Sequence, residues 1–365
     1  MQLYFIFFFY VLIAGTILHT SGQLDTSLKR LNNTPLWAAI IIVFVPTLYV
    51  GLRSGYNDTY AYIIMFNNFD STLQNIMASM STDRGIGWSV YEWFIKSYIT
   101  QNATTFLMIT AVIQMGAIIK LYRNYSTNYG LSMLLFFISM CFVNLMGGVR
   151  QMMAATLIFY FSDLLFEGKN IRFLIVIFFA FTIHFSALIW IPIMFAVKGR
   201  TFGLNTLLIG LITVIIVVYI NRFTDLLTTT LEDTLYEGYT EQFVNDDGSN
   251  IIHALIAAIP VIIAFIGNAQ LRNLDDKRIN ILVNLSVINL MLNILAHYTS
   301  GILIGRLPMY LDAYTYALYP ILFDTIFEKN TRQFVSVASV VGYLTYGCYY
   351  IYTMGFDYTS QIMHF

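Results

Sequence analysis

The run 171–197, IRFLIVIFFAFTIHFSALIWIPIMFAV, carries Lys169 and Arg172 at one end and Lys198 and Arg200 at the other. Short loops rich in Lys and Arg stay on the cytoplasmic side of a membrane. A single crossing would put these two flanks on opposite sides. It would also carry Arg272, Lys277, Arg278, Lys329 and Arg332 outside. A hairpin that turns near His184 and Ser186 removes the conflict. Six of the 19 Lys and Arg residues then lie outside: Arg53, Arg84, Lys96, Arg150, Arg222 and Arg306. Each arm of about 13 residues reaches only ~20 Å at 1.5 Å per residue. The hydrocarbon core is ~30 Å thick. The turn is therefore expected below the outer surface, in a depression lined by protein. The alternative is one long tilted helix.

Composition agrees with a lipid-embedded chain. Of 365 residues, 58% are hydrophobic and 11% charged, with 30 Phe and 26 Tyr. A soluble domain carries about 25% charged residues and could not cover this much apolar surface. Further apolar runs lie at 2–18, 36–52, 103–120, 131–147, 151–166, 203–220, 251–266, 279–296, 308–326 and 334–352. The expected fold is an all-α integral membrane protein, a single multi-pass domain over 1–365. It has about 10 full transmembrane helices plus the short hairpin, with both termini outside. The run 2–18 has no Lys or Arg ahead of it and reads as a retained first span rather than a signal peptide. The outer connection 53–102 holds aromatic stretches at 59–69 and 86–99; Trp88, Tyr91, Trp93, Phe94 and Tyr98 suit an interfacial helix. The acidic connection 221–250 reads as a solvated outer loop and a lid. Cys141 and Cys348 lie within apolar runs and imply no disulfide framework. A net charge of −1 leaves no polybasic surface for nucleic acid.

Outer loops are poor in cations, so the arginines that remain there call for a reason. Arg53, Arg84, Arg150 and Arg306 each lie close to glycine, in GLRSG, DRGIG, GGVRQ and GRLPMY. Glycine permits close backbone approach, and the guanidinium fork grips phosphate oxygens in pairs. Four such residues at one face suit a lipid pyrophosphate. The plainer reading of each is snorkelling, or pairing with Asp58, Asp83 or Asp312. His184, at the hairpin turn, could take a proton or serve as a packing residue. His297 is a weaker candidate, and His19, His253 and His364 read as span ends. No Asp-x-Asp pair in an outer loop, His-x-x-x-His, Walker loop or Gly-x-Ser-x-Gly occurs, so neither a metal nor a cofactor is expected.

Four ordered pieces resemble the EpsG family of Wzy-like polysaccharide polymerases. They are Arg53-x-Gly55-x-x-Asp58-x-x-x-Tyr62, Arg150-Gln151-x-x-Ala154, His184-x-Ser186-Ala187-Leu188 with Ile191-Pro192, and Arg306-x-x-x-Tyr310. One departure is Asp83-Arg84-Gly85-Ile86-Gly87, where relatives show an acidic residue, then Gly and an aromatic. The resemblance implies an enzyme that joins oligosaccharide repeat units carried on undecaprenyl pyrophosphate. It would work at the outer face of the bacterial cytoplasmic membrane and make O-antigen, capsule or exopolysaccharide. Its partners would be the lipid-linked glycan, membrane lipid, a flippase and a chain-length regulator. Arg53, Arg84, Arg150, Gln151, Arg306 and Tyr310 would bind pyrophosphate and glycan. His184, then Asp58, would be the base for the acceptor hydroxyl, with Asp58 otherwise orienting Arg53. Competing classes are a lipid-linked oligosaccharide flippase, a membrane acyltransferase and a scaffold subunit. A transporter should show charges along its path, whereas these spans are nearly uncharged between their ends. An acyl donor brings no outer pyrophosphate for four arginines.

Overall fold

The computed structural model describes residues 9–10, 34–69, 85–219, 222, 226, 229, 248–355 and 357–363. Arg84, the run 2–18 and most of the connection 221–250 lie outside them. The described chain is helical, in the order α1 Leu36–Gly51, α2 Thr59–Asn68, α3 Ile86–Tyr98, α4 Ala103–Tyr125, α5 Tyr129–Phe137, α6 Met140–Gly147, α7 Val149–Tyr160 and α8 Ser162–Phe166. There follow α9 Asn170–Ile183, a 3-10 turn Phe185–Ile189, α10 Trp190–Ala196, α11 Leu204–Val218, α12 Ile251–Ile266, α13 Asn268–Leu274 and α14 Lys277–Tyr298. A second 3-10 turn, Leu307–Tyr310, leads into α15 Asp312–Ile326 and α16 Lys329–Met354. Asparagine or aspartate starts several of them: the side chains of Asn102, Asn128, Asn250 and Asp276 each accept a backbone N–H from the first turn.

Large apolar side chains cover the outside. Phe334 is 73% exposed, Leu207 66%, Phe265 65% and Phe178 59%, a surface that water would not tolerate and lipid does. The protein is an α-helical membrane protein. Three helices among the described residues are long and apolar enough to cross a bilayer alone: Ala103–Tyr125, Lys277–Tyr298 and Lys329–Thr353. Two bent pairs raise this to 5, α5 with α6 at 59° and α12 with α13 at 70°. The ten spans expected from hydropathy are thus not reached by length and composition. The physical reason is breakage: apolar runs that look continuous are interrupted at Ser139, at Gly148 between α6 and α7, and at Phe161 between α7 and α8.

The run 171–197 does double back. A straight helix would hold Phe173 and Trp190 ~25 Å apart, yet their ring centroids are 5.7 Å apart. Its two flanks meet the same two turns of α14. A side chain on Gly168 would touch Lys277 Nζ, the Thr201 N–H donates to Asn280 Oδ1 at 3.1 Å, and Asn284 Nδ2 donates to the Val197 carbonyl at 3.0 Å. Four cations of this pole tie helix ends together. Arg123 Nε reaches the Thr34 carbonyl ahead of α1, Lys120 pairs with Asp163 at 2.7 Å, Arg272 Nη2 binds the Thr201 carbonyl at 2.9 Å, and Arg332 pairs with Asp324. Asp163 Oδ1 also accepts from the Tyr125 hydroxyl at 2.6 Å and from Asn124 Nδ2 at 3.2 Å.

The aromatic stretch 86–99 differs from expectation. Trp88 is 1% exposed and packs against Tyr62, Tyr91 and Phe106 in a second core beside the main one. Only its other face, with Phe94 and Tyr98, is exposed. Lys96 caps the end of α2 by donating to the carbonyls of Phe66, Asn67 and Phe69.

The hairpin fixes a labelling pattern. In a background with Cys348→Ser, Lys169→Cys and Lys198→Cys should both react with an impermeant maleimide from the same side of the membrane. Reaction of the two from opposite sides would mean a single crossing.

Candidate functional site

At the pole opposite the tied cations, the four ordered pieces interlock. Chain reversal at His184 brings the imidazole over the next turn. There the Ser186 N–H donates to His184 Nδ1 at 3.4 Å, and Ser186 Oγ lies 2.7 Å from the same nitrogen. An amide N–H can only donate, so Nδ1 carries the lone pair. In the neutral ring the proton therefore sits on Nε2. Ser186 Oγ then donates to Nδ1 as well, and the Tyr310 hydroxyl, 3.1 Å away, donates to Ser186 Oγ. Tyr310 is fully buried.

The other joints are equally specific. Gln151 is 3% exposed and its Nε2 donates to the Arg306 carbonyl at 2.7 Å. The Arg150 N–H donates to the Tyr62 hydroxyl at 3.5 Å. Arg150 and Arg306 both act electrostatically on the His184 ring. Gly147 lets Asn57 approach, since a Cβ there would lie 2.9 Å from its Nδ2. Gly85, at φ +76°, would meet the Thr182 carbonyl oxygen at 2.7 Å if it bore a side chain. That contact seats the start of α3 against the residues just ahead of His184.

The arginines separate into different environments. Arg53 is 2% exposed. Its Nε donates to Thr59 Oγ1 at 2.9 Å and its Nη1 to the Val50 carbonyl. Burial lowers the guanidinium to about 10, against the opposing pull of Tyr358 and Tyr62, so it stays cationic at neutral pH. It lies beneath the surface of the site and braces the loop that carries Asp58. Neither Arg53 nor Arg306 has a carboxylate partner at ion-pair distance among the described residues. Asp312 bonds to Asn289 instead, at 2.9 Å. Asp58 and Arg306 are exposed and line a cleft of about 740 Å³.

Much of that cleft comes from residues that the sequence pattern does not single out. Asp312, Asn293 and His253 line it, with Tyr346, Tyr349, Tyr350 and Thr353 of α16 and Asp357 beyond it. One signal was present: positions 346, 349, 350 and 353 share a helix face. The segment Asp357–Ser360 also holds the first motif in place. The Thr359 N–H donates to the Gly55 carbonyl at 2.9 Å, the Ser54 N–H to the Thr359 carbonyl at 2.8 Å, and Tyr358 stacks on Tyr49 at 3.9 Å.

The sequence model of the EpsG family matches residues 36–364. Comparison with curated proteins and with solved structures finds no match.

The bridge from His184 to Tyr310 can be measured. Ser186→Ala should destabilise the protein by about 1–3 kcal/mol, because a buried hydroxyl loses its partner. Tyr310→Phe added to Ser186→Ala should cost less than it does alone, since both partners are then apolar. Thermal unfolding in detergent reads both. Strictly additive losses would mean that the two hydroxyls do not interact.

Proposed function

The chain belongs to the EpsG family of Wzy-like polysaccharide polymerases, and we propose that it joins lipid-pyrophosphate-linked oligosaccharide units at the outer face of the bacterial cytoplasmic membrane. One observation carries this reading. Motifs more than 250 residues apart in sequence are joined at one pole by hydrogen bonds that run from Tyr62 to Arg150, from Gln151 to Arg306 and from Tyr310 to Ser186 beside His184. The pole that gathers Lys120, Arg123, Lys169, Lys198 and Arg272 faces the cytoplasm by the positive-inside rule, which turns this site outward. The shorter helices and bent pairs complete the remaining crossings.

The reaction is a displacement at the anomeric carbon. The acceptor hydroxyl oxygen bonds to C1 of the donor sugar, and the bond from C1 to the phosphate oxygen breaks. The lipid pyrophosphate leaves with the electron pair, and the hydroxyl proton passes to a base. The leaving group gains negative charge, so cationic donors preorganised around it speed the step most. Arg150 and Arg306 are suited to grip its oxygens bidentately, which supplies that charge stabilisation without a metal ion. Arg53 braces the loop behind them.

The hydrogen-bond direction at His184 divides the remaining roles. With Nδ1 occupied by Ser186, the other side of the ring offers Nε2–H. That group donates to a phosphate oxygen and cannot accept a proton there without giving up the Ser186 bonds. The base role then falls to Asp58, whose carboxylate is exposed at the cleft.

Purified protein given lipid-linked repeat units should build a ladder of chain lengths in excess EDTA. Arg150→Lys and Arg306→Lys keep the charge but lose the fork and should slow it about 10²–10³-fold. Asp58→Asn should slow it about 10²–10⁴-fold. His184→Gln can still accept the Ser186 N–H and donate from its amide, so it should retain far more activity than His184→Ala. Wild-type rates from Asp58→Asn, or a ladder that needs added magnesium or manganese, would contradict this mechanism.

A further inference from the structure

We propose that the cleft bounded by Asp58, Asp312 and the tyrosines of α16 is the acceptor subsite, which holds the terminal sugar of the incoming chain. This rests on the polymerase reading above and adds where each substrate lies. The cleft's volume of about 740 Å³ falls within the ~300–1,000 Å³ typical of sites that enclose small molecules, enough for a short stretch of saccharide.

Its charge decides which part of the substrate it suits. Three acidic residues line it, Asp58, Asp312 and Asp357, against Arg306 as the one Lys or Arg among its lining residues. That balance repels a pyrophosphate and suits neutral sugar hydroxyls, which donate to carboxylate oxygens. Arg306 lines the cleft and begins the segment that ends at Tyr310, which bonds to Ser186 beside His184, whereas Arg150 is not among the cleft's lining residues. The donor pyrophosphate is assigned to Arg150, Arg306 and His184, and the acceptor sugar to Asp312 and the α16 tyrosines, with Asp58 as the base for its hydroxyl.

Asp312 is held ready for such a ligand. Asn293 Nδ2 donates to Asn289 Oδ1 at 3.2 Å, which turns the Asn289 amide so that its Nδ2 donates to Asp312 Oδ1 at 2.9 Å. Among the described residues Asp312 Oδ2 takes no hydrogen bond, and the residue lines the cleft. Its Oδ2 is thereby left open toward the cleft, where a sugar hydroxyl can donate to it. Facing it, Tyr346 bonds to His253 Nδ1 at 2.6 Å, and the His253 ring sits 5.6 Å from Tyr350. Tyr349 stands beside them, 44% exposed. A pyranose presents one apolar C–H face, which such a wall of aromatic rings can cover while hydroxyls at the sugar edge reach the carboxylates.

The test uses the purified full-length protein and, as probe, the repeat-unit oligosaccharide freed from its lipid by mild acid. Wild type should bind it, and Tyr349→Ala and Asp312→Asn should each weaken binding about tenfold or more, the scale of a lost charge-assisted bond or stacked ring. With lipid-linked substrate the same variants should raise KM for the acceptor more than they lower kcat. Arg150→Lys, on the donor side, should bind the free oligosaccharide as wild type does while polymerising slowly. Wild-type binding by both cleft variants overturns the proposal, and so does a wild-type protein that ignores the oligosaccharide at millimolar concentration. Should Arg150→Lys and Asp58→Asn polymerise normally, the polymerase mechanism itself fails. If they are slow while both cleft variants bind normally, only the assignment of the cleft fails.

Discussion

Where α9 ends at His184, the chain must reverse with its backbone groups still satisfied, because lipid offers them no hydrogen-bond partner. It does so locally. The His184 N–H closes on the Ala180 carbonyl at 2.9 Å, the Ala187 N–H closes on the His184 carbonyl at 3.1 Å, and the Ser186 N–H is taken by the His184 ring. The same imidazole that ends the helix is therefore fixed in tautomer and orientation by ending it. The hydrogen bonds that permit the turn thus also fix the ring.

The rest of the pole is hung from that turn. Ser186 links it to Tyr310, and the residues between Arg306 and Tyr310 are held by Gln151, the neighbour of Arg150. The Arg150 backbone in turn meets Tyr62, four residues beyond Asp58. Each joint pairs a residue of one motif with a residue of another, so displacement of one element shifts the arginines relative to the ring. At the opposite pole Arg123, Arg272, Lys120 and Arg332 bind carbonyls and carboxylates and tie helix ends together.

The hairpin was legible because Lys169 and Lys198 report the side on which a loop lies, independently of what the apolar residues between them do. The number of crossings was not, because hydropathy does not encode a bend. The run 131–147 is apolar throughout, yet it folds as α5 and α6 at 59°. The motif residues His184, Arg150, Gln151, Arg306 and Tyr310 stood out through glycine neighbours or family spacing. Nothing in the sequence separates Arg53, which is buried against Thr59, from Arg306, which is exposed at the cleft. Asp312 was read only as a counter-ion for an arginine, because its true partner Asn289 lies 23 residues away on another helix. The tyrosines of α16 carried a readable helical stripe, but in a chain with 26 Tyr such a stripe has little contrast.

The central claim is that this protein links repeat units and does not move them across the membrane. Deletion of the gene, followed by electrophoresis of the surface glycan, addresses it directly. A polymerase predicts that single repeat units still reach the surface on their lipid while the ladder of longer chains vanishes. Loss of every repeat unit from the surface would instead assign the chain to translocation and contradict the account.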